Sequence, residues 1–251
     1  MTDTIARFSD RIENYAKYRP GYPRQIIPYL IDTAGLMPES SVADVGCGTG
    51  LSARIFLENG NRVFGVEPNA GMRQAAVEYL SSFENFTIVN GTAEATTLSD
   101  GSVDLAVAAQ AYHWFDPDKT RAEFKRILKP GGHAVLIWNE RQLDTTPFLI
   151  EYEQFLLKYA TDYTKVRHEN VDALRLDEFF RVPFERAVFP NVQVFDFAGL
   201  KGRMFSSSYM PNEDDAVAPA MLEDLAAIFA KHSRDGRIEV FYDTRVYHAS
   251  L

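Results

Sequence analysis

Cysteine is nearly absent from this chain. One residue in 251, Cys47, can form no intrachain disulfide, so the fold does not rest on oxidation. Long apolar runs are also missing, and no stretch approaches the roughly 18 apolar residues of a membrane span. Residues 1–20 have no continuous apolar core and carry Asp3, Asp10 and Glu13, so no secretory signal is expected there and the cytoplasm is the expected compartment. Basic clusters are scarce: Lys+Arg is 26 against Asp+Glu 35, a net charge of −9, and no Lys/Arg run exceeds two residues. Binding a nucleic-acid backbone needs a concentrated basic surface, which disfavours such a partner. No Cys/His cluster has zinc spacing, so no metal is expected.

What is present reads as a folded protein with a full core: 46% hydrophobic, 24% charged and 13% aromatic residues. Ile5, Phe8, Ile12 and Tyr15 recur at helical steps, and Arg19-Pro20-Gly21-Tyr22-Pro23 disfavours continuation. Ile26, Ile27, Leu30 and Ile31 make a second helical face closed by Gly35. Short apolar strand patterns then alternate with helical ones. Strands are expected at 41–45, 62–66, 86–89, 103–108 and 133–138, and helices after the glycines at 46–50, over 70–80 and over 117–128. That alternation predicts an α/β fold, a doubly wound, mostly parallel Rossmann-like sheet. The last hundred residues are less regular. A helix is expected on Phe148, Tyr152, Phe155 and Tyr159, and another over 221–230. One or two strands are expected over 184–197, broken at Pro190-Asn191, and a final antiparallel strand over 238–247. The simplest organisation is a single domain over 1–251. It comprises a helical cap (1–35), a cofactor-binding core (36–139), an acceptor-side region (140–235) and the closing strand (236–251).

The strongest chemical signal is Val42-Ala43-Asp44-Val45-Gly46-Cys47-Gly48-Thr49-Gly50, a strand running into glycines that open a helix. Such glycines let backbone amides approach a ligand at the carboxyl edge of the sheet. A dinucleotide fingerprint needs G-x-G-x-x-G, but Leu51 follows Gly50, so the spacing here is G-x-G-x-G. Glu67, followed by Pro68, lies 17 residues after Gly50 at the end of the second strand, where a carboxylate can accept from both ribose hydroxyls. Cys47 reads as a small residue of the turn rather than a nucleophile.

Together these residues resemble a class I S-adenosylmethionine-dependent methyltransferase of the broad type-11 small-molecule group. The resemblance implies S-adenosylmethionine as cofactor, S-adenosylhomocysteine as product and no metal. It implies that Asp44, Gly46, Cys47, Gly48 and Gly50 hold the methionine portion, Glu67 the ribose, and Met72 packs on adenine. Asn90-Gly91-Thr92-Ala93-Glu94 resembles the adenine loop, with Thr92 where many relatives carry Asp. Gln110 falls at the cofactor's methionine end. Tyr18 and Arg19 resemble a segment closing over the cofactor, Arg19 meeting its carboxylate and Tyr18 facing the sulfonium.

The loop His113-Trp114-Phe115-Asp116 and the later Ser206-Ser207-Ser208-Tyr209-Met210-Pro211 are similar to a subset including trans-aconitate methyltransferases, which esterify small carboxylic acids. The expected partner is therefore a small-molecule methyl acceptor. A carboxylate acceptor needs no general base near neutral pH. A phenol, amine or carbon acid does, and His113 is then the candidate catalytic base by intrinsic pKa. His113, Trp114, Arg141, Arg203 and Tyr209 are the candidate substrate residues, the arginines because guanidinium pairs bidentately with carboxylate. Three alternatives stay open at this point: a cofactor-binding regulatory protein without catalysis, an NAD-dependent oxidoreductase, and, weakened by the acidic balance, an RNA methyltransferase.

Overall fold

The computed structural model describes residues 17–161, 163, 173–207 and 209–251. The helix expected on Ile5, Phe8, Ile12 and Tyr15 lies outside these residues, as does Ser208. Among the described residues seven strands form one sheet: β1 (Ser41–Val45), β2 (Arg62–Val66), β3 (Phe86–Val89), β4 (Val103–Ala109), β5 (Leu128–Arg141), β6 (Glu185–Phe195) and β7 (Ile238–Ser250). Their spatial order is β3-β2-β1-β4-β5-β7-β6. The first five pair in parallel, and β7 runs antiparallel to both β5 and β6. The expected mostly parallel sheet with an antiparallel final strand is therefore the observed fold.

Strand alternation sends neighbouring side chains to opposite faces. On one face Val42, Val63, Leu105, Val107 and Ile137 pack with helices α1 (Ile26–Ala34) and α2 (Ala53–Glu58). On the other, Ala43, Val45, Ala106 and Ala108 share a core with α4 (Pro117–Ile127) and α6 (Ala173–Phe180), while α3 (Ala70–Tyr79) connects β2 to β3. Strands β1 and β4 are buried on both faces, which is why they read as continuous apolar runs. A third core joins α5 (Pro147–Tyr159), α7 (Phe197–Phe205) and α8 (Ala218–His232) to Phe195, Ile238, Val240 and Tyr242. Strand order reverses between β1 and β4, and a crevice outside their carboxyl ends is where this sheet type takes a ligand.

Several boundaries differ from expectation. Strand β6 runs unbroken through Pro190, which pairs opposite Asp243. Proline is tolerated there because β6 is an edge strand and a missing N–H costs no ladder bond on its open side. Strand β5 starts at Leu128 rather than His133, with its pairing to β4 shifted between Val103 and Leu105. Gly131, at φ +80°, lets the chain loop out there. Helix α8 extends past the expected 221–230, and α6 and α7 were not anticipated. Gly199 and Gly202 lower the helix propensity of α7, but Asp196 caps it by accepting from the Gly199 amide at 2.7 Å.

Candidate active site

The glycine turn after β1 is shaped by close packing. A Cβ on Gly46 would lie 2.8 Å from the Ala111 Cβ, and one on Gly50 would lie 2.6 Å from Leu80 Cδ1. Gly46, Gly48 and Gly50 all have positive φ, a region that favours glycine. The Gly46 amide donates to the Val66 carbonyl at 2.8 Å, which ties the turn to the end of β2. Glu67 completes the clamp: its two carboxylate oxygens accept from the amides of Gly48 (3.0 Å) and Asn69 (2.9 Å). Burial nevertheless raises its pKa, because desolvation outweighs those two bonds. Each carboxylate oxygen keeps a second lone pair, so the clamp leaves acceptor capacity for a ribose hydroxyl.

Asp44 sits fully buried beneath the turn. Its Oδ2 accepts from Ser52 Oγ at 2.6 Å, while Oδ1 has no hydrogen-bond partner among the described residues. Burial pushes its pKa up to about 7. Cys47 is buried in the turn, and burial, with Asp44 and Glu67 nearby, pushes its thiol up, so a thiolate nucleophile is disfavoured. Asn69 caps α3 by accepting from the Met72 amide, and Met72 is buried. The Thr92 backbone exchanges hydrogen bonds with Ala95, Ala93 is buried, and Glu94 accepts from the Asp116 amide at 3.1 Å.

A cleft opens beside the glycine turn and holds about 950 Å³ of empty space, its open mouth included. Gly46, Cys47, Gly48, Thr49 and Ser52 line one end of it. Gln110 joins them from the end of β4, held at φ +54°, with its amide nitrogen donating to the Asn139 carbonyl at 3.2 Å. Its Oε1 is buried with no donor among the described residues, an acceptor fit for a ligand ammonium group. Glu67, Pro68, Met72, Thr92, Ala93 and Glu94 are not among the lining residues.

The other end of the cleft is built by guanidinium and phenol groups. Arg141, at the end of β5, forms a largely buried ion pair with Glu153 of α5 and donates to the Tyr163 hydroxyl at 2.8 Å. Arg203 of α7 is buried and donates to the Tyr242 hydroxyl (3.3 Å) and Ser207 Oγ (2.9 Å), with Ser206 Oγ at 3.5 Å. No carboxylate pairs with it among the described residues. Arg19 donates to the Ser206 carbonyl at 3.0 Å. Tyr209 lies among all three arginines. Burial alone would raise its phenol, but Arg203, Arg19 and Arg141 hold it below the ordinary tyrosine value.

Three sequence candidates fall elsewhere. Tyr18, expected to face the sulfonium, lays its ring on Gly202, where a Cβ would come within 2.1 Å of it. The His113 and Trp114 rings meet at a 47° tilt with centroids 4.6 Å apart, and neither lines the cleft. Burial, then Arg175 and Arg19, lower the His113 pKa to about 4, so its imidazole is neutral near pH 7. Conversely, Tyr22, Asn139, Tyr163 and Tyr242 line the cleft without having been singled out. Nothing in their local pattern marks them, because they arrive from four separate segments. Among the described residues no three His, Cys, Asp or Glu residues gather as a metal site, and no helix is long and apolar enough to cross a membrane.

Comparison with known proteins agrees with this geometry. Residues 43–136 match the methyltransferase domain family. A methyltransferase-like protein of Schizosaccharomyces pombe is 26% identical over 248 residues, covering 97% of this chain and 94% of that one. A methyltransferase of Mycobacterium tuberculosis is 34% identical over 139 residues, so the match spans 55% of this chain and about half (54%) of the relative. A structure provisionally described as a type II methyltransferase of Anaeromyxobacter dehalogenans superposes with a TM-score of 0.71 at 20% identity, covering 92% of this chain and 97% of that one. The glycine turn, the strand order and these relatives converge: residues 43–136 form a methyltransferase domain, and the fold around it is that of the class I S-adenosylmethionine-dependent methyltransferases.

Proposed function

We propose that this enzyme methylates a small molecule carrying a carboxylate, and that the acceptor lies at the arginine end of the cleft. The carrying observation is Arg203, a buried guanidinium lining the cleft with hydroxyl partners and, among the described residues, no acid. A buried charge without a counter-ion costs several kcal/mol, which an incoming anion offsets. Guanidinium presents a planar fork that matches a carboxylate. Arg141 is a weaker seat because Glu153 already neutralises it.

Bound S-adenosylmethionine supplies an electrophilic methyl group on a sulfonium. The glycine turn and Gln110 fit its methionine portion, Glu67 its ribose, and Arg19 its carboxylate, with Met72, Thr92, Ala93 and Glu94 assigned to the adenine side. Arg203, with Tyr209 beside it, holds the acceptor against the donor. Proximity and orientation then supply most of the acceleration. An ionised carboxylate needs no proton removed before it attacks, so this reading requires no base and leaves His113 without a proton to take. A single domain with one reacting cleft suffices, and one buried Cys in 251 residues fits the cytoplasm.

The test begins with S-adenosylhomocysteine and NAD in a thermal-shift titration. At 100 times its dissociation constant a ligand stabilises by about 2.7 kcal/mol, a rise of roughly 5–11 °C at this size. S-Adenosylmethionine is then incubated with mono-, di- and tricarboxylates, and S-adenosylhomocysteine and alkali-labile methyl ester are measured. Ester formation is the expected result. Turnover on amines or phenols alone would overturn the carboxylate reading, and a shift with NAD alone would overturn the cofactor assignment.

A further inference from the structure

The segment Tyr18–Tyr22 forms a strap across β6 and α7, and its Arg19, Pro20 and Tyr22 line the cleft. Two sets of side chains hold it. Asn139 Nδ2 (3.1 Å) and Asn191 Nδ2 (2.8 Å) donate to the Gly21 carbonyl, and Gln193 Nε2 donates to the Tyr18 carbonyl at 3.1 Å. The Gln193 side chain also reaches inward: its Oε1 accepts from the Tyr242 hydroxyl at 2.9 Å, and that hydroxyl accepts from Arg203 Nε at 3.3 Å.

This chain of hydrogen bonds has one permitted direction. Guanidinium can only donate, so the Tyr242 oxygen accepts from it and the Tyr242 proton points at Gln193 Oε1. The amide of Gln193 is thereby oriented with its nitrogen outward, toward the strap carbonyl. Gln193 and Tyr242 are diagonal neighbours on one face of the β6–β7 ladder, where Gln193 pairs with Val240 and Asn191 with Tyr242. Reversing any member breaks the others.

We infer that Tyr242 and Gln193 are positioning residues that couple the Arg203 seat to the strap, so that orienting Arg203 for an acceptor and closing Tyr18–Tyr22 over the cleft favour each other. Neither residue touches the reacting atoms in this account. The functional value of the coupling rests on the proposed acceptor site, but the coupling itself does not require the acceptor to be known.

The experiment is a double-mutant cycle read by amide hydrogen exchange in the peptide spanning the strap, on the full chain without ligand. Gln193→Leu removes the direct bond to Tyr18, while Tyr242→Phe keeps the ring and removes only the relay hydroxyl. One hydrogen bond predicts strap opening faster by about two- to tenfold in Gln193→Leu. Tyr242→Phe and Arg203→Met should give the same direction at smaller size, although neither residue is bonded to the strap. The Gln193→Leu/Tyr242→Phe pair should then add little to Gln193→Leu alone, because the relay is already cut. Strap exchange at the wild-type rate in Tyr242→Phe, or fully additive effects in the pair, would overturn the coupling. A thermal melt of each variant separates strap opening from global loss of structure. Failure of the carboxylate reading would appear in the turnover assay instead and leave this cycle intact.

Discussion

At the end of the cleft proposed for the cofactor the groups are mostly backbone: Gly46 to Gly50 form a turn, and Glu67 accepts from the amides of Gly48 and Asn69. At the proposed acceptor end they are side chains, with Arg19, Arg203 and Tyr209 brought in by the strap, α7 and the chain just beyond it. The first end depends on the absence of Cβ atoms and on one buried carboxylate. The second depends on where distant elements dock. Conserving a common donor while varying the acceptor suits this division, since helix and strap side chains can change without disturbing the turn.

The sharpest way to break the comparison is Gly48→Val. With Gly48 at φ +55° in the cleft wall, a β-branched residue should abolish S-adenosylhomocysteine binding by calorimetry while far-ultraviolet circular dichroism stays unchanged. Next in size, Arg203→Met should raise KM for a carboxylate acceptor by roughly 10- to 100-fold, at 1.5–3 kcal/mol per charge-assisted bond. S-Adenosylhomocysteine affinity should stay near wild type in that variant, and an equal loss there would move Arg203 to the cofactor. Glu67→Ala should do the reverse, weakening the cofactor by about tenfold or more with the acceptor KM held.

A smaller effect separates the two ends by pH. Asp44, beneath the glycine turn, has its pKa pushed by burial from 3.8 up to about 7, so its contribution to apo stability is lost progressively as pH rises from about 4 to about 7. His113 and His248 are held down at about 4, chiefly by burial, so stability is also lost as pH falls from about 6.5 toward 4. The two histidines outweigh the one carboxyl below about pH 6.5, so the apo protein should resist urea best near pH 6–7, and Asp44→Asn should steepen the loss on the acid side. The smallest effect is expected from His113→Gln. A general base contributes about 10²–10⁴-fold, whereas an imidazole outside the cleft lining should cost far less than about tenfold in kcat. A larger loss would bring His113 back to the chemistry.

The cofactor end was the legible one. Asp44, the three glycines and Glu67 fall within 24 consecutive residues, and each carries a local signal: a strand pattern, a positive-φ turn, a strand-end acid. Gly35 closing α1 and Pro117 opening α4 were equally local. The acceptor end was legible only as residue types. Arg141 and Arg203 are both candidate carboxylate ligands by chemistry, and only the fold distinguishes them, by setting Glu153 against one and hydroxyls against the other. His113 was chosen on intrinsic pKa, a property that burial then changed.

Periodicity and turn chemistry act between residues a few positions apart, and they determined the alternating elements, the parallel core and the glycine cradle without further help. The tertiary structure alone decided which arginine stays unneutralised, that Tyr18 packs on Gly202, and that Tyr242 and Gln193 join the cleft to its strap. Those outcomes depend on desolvation and on contacts between distant segments, such as Gln193 with Tyr18, 175 positions apart. Neither is encoded in any local stretch, because a charge's neighbours and its exposure exist only once the chain has closed on itself.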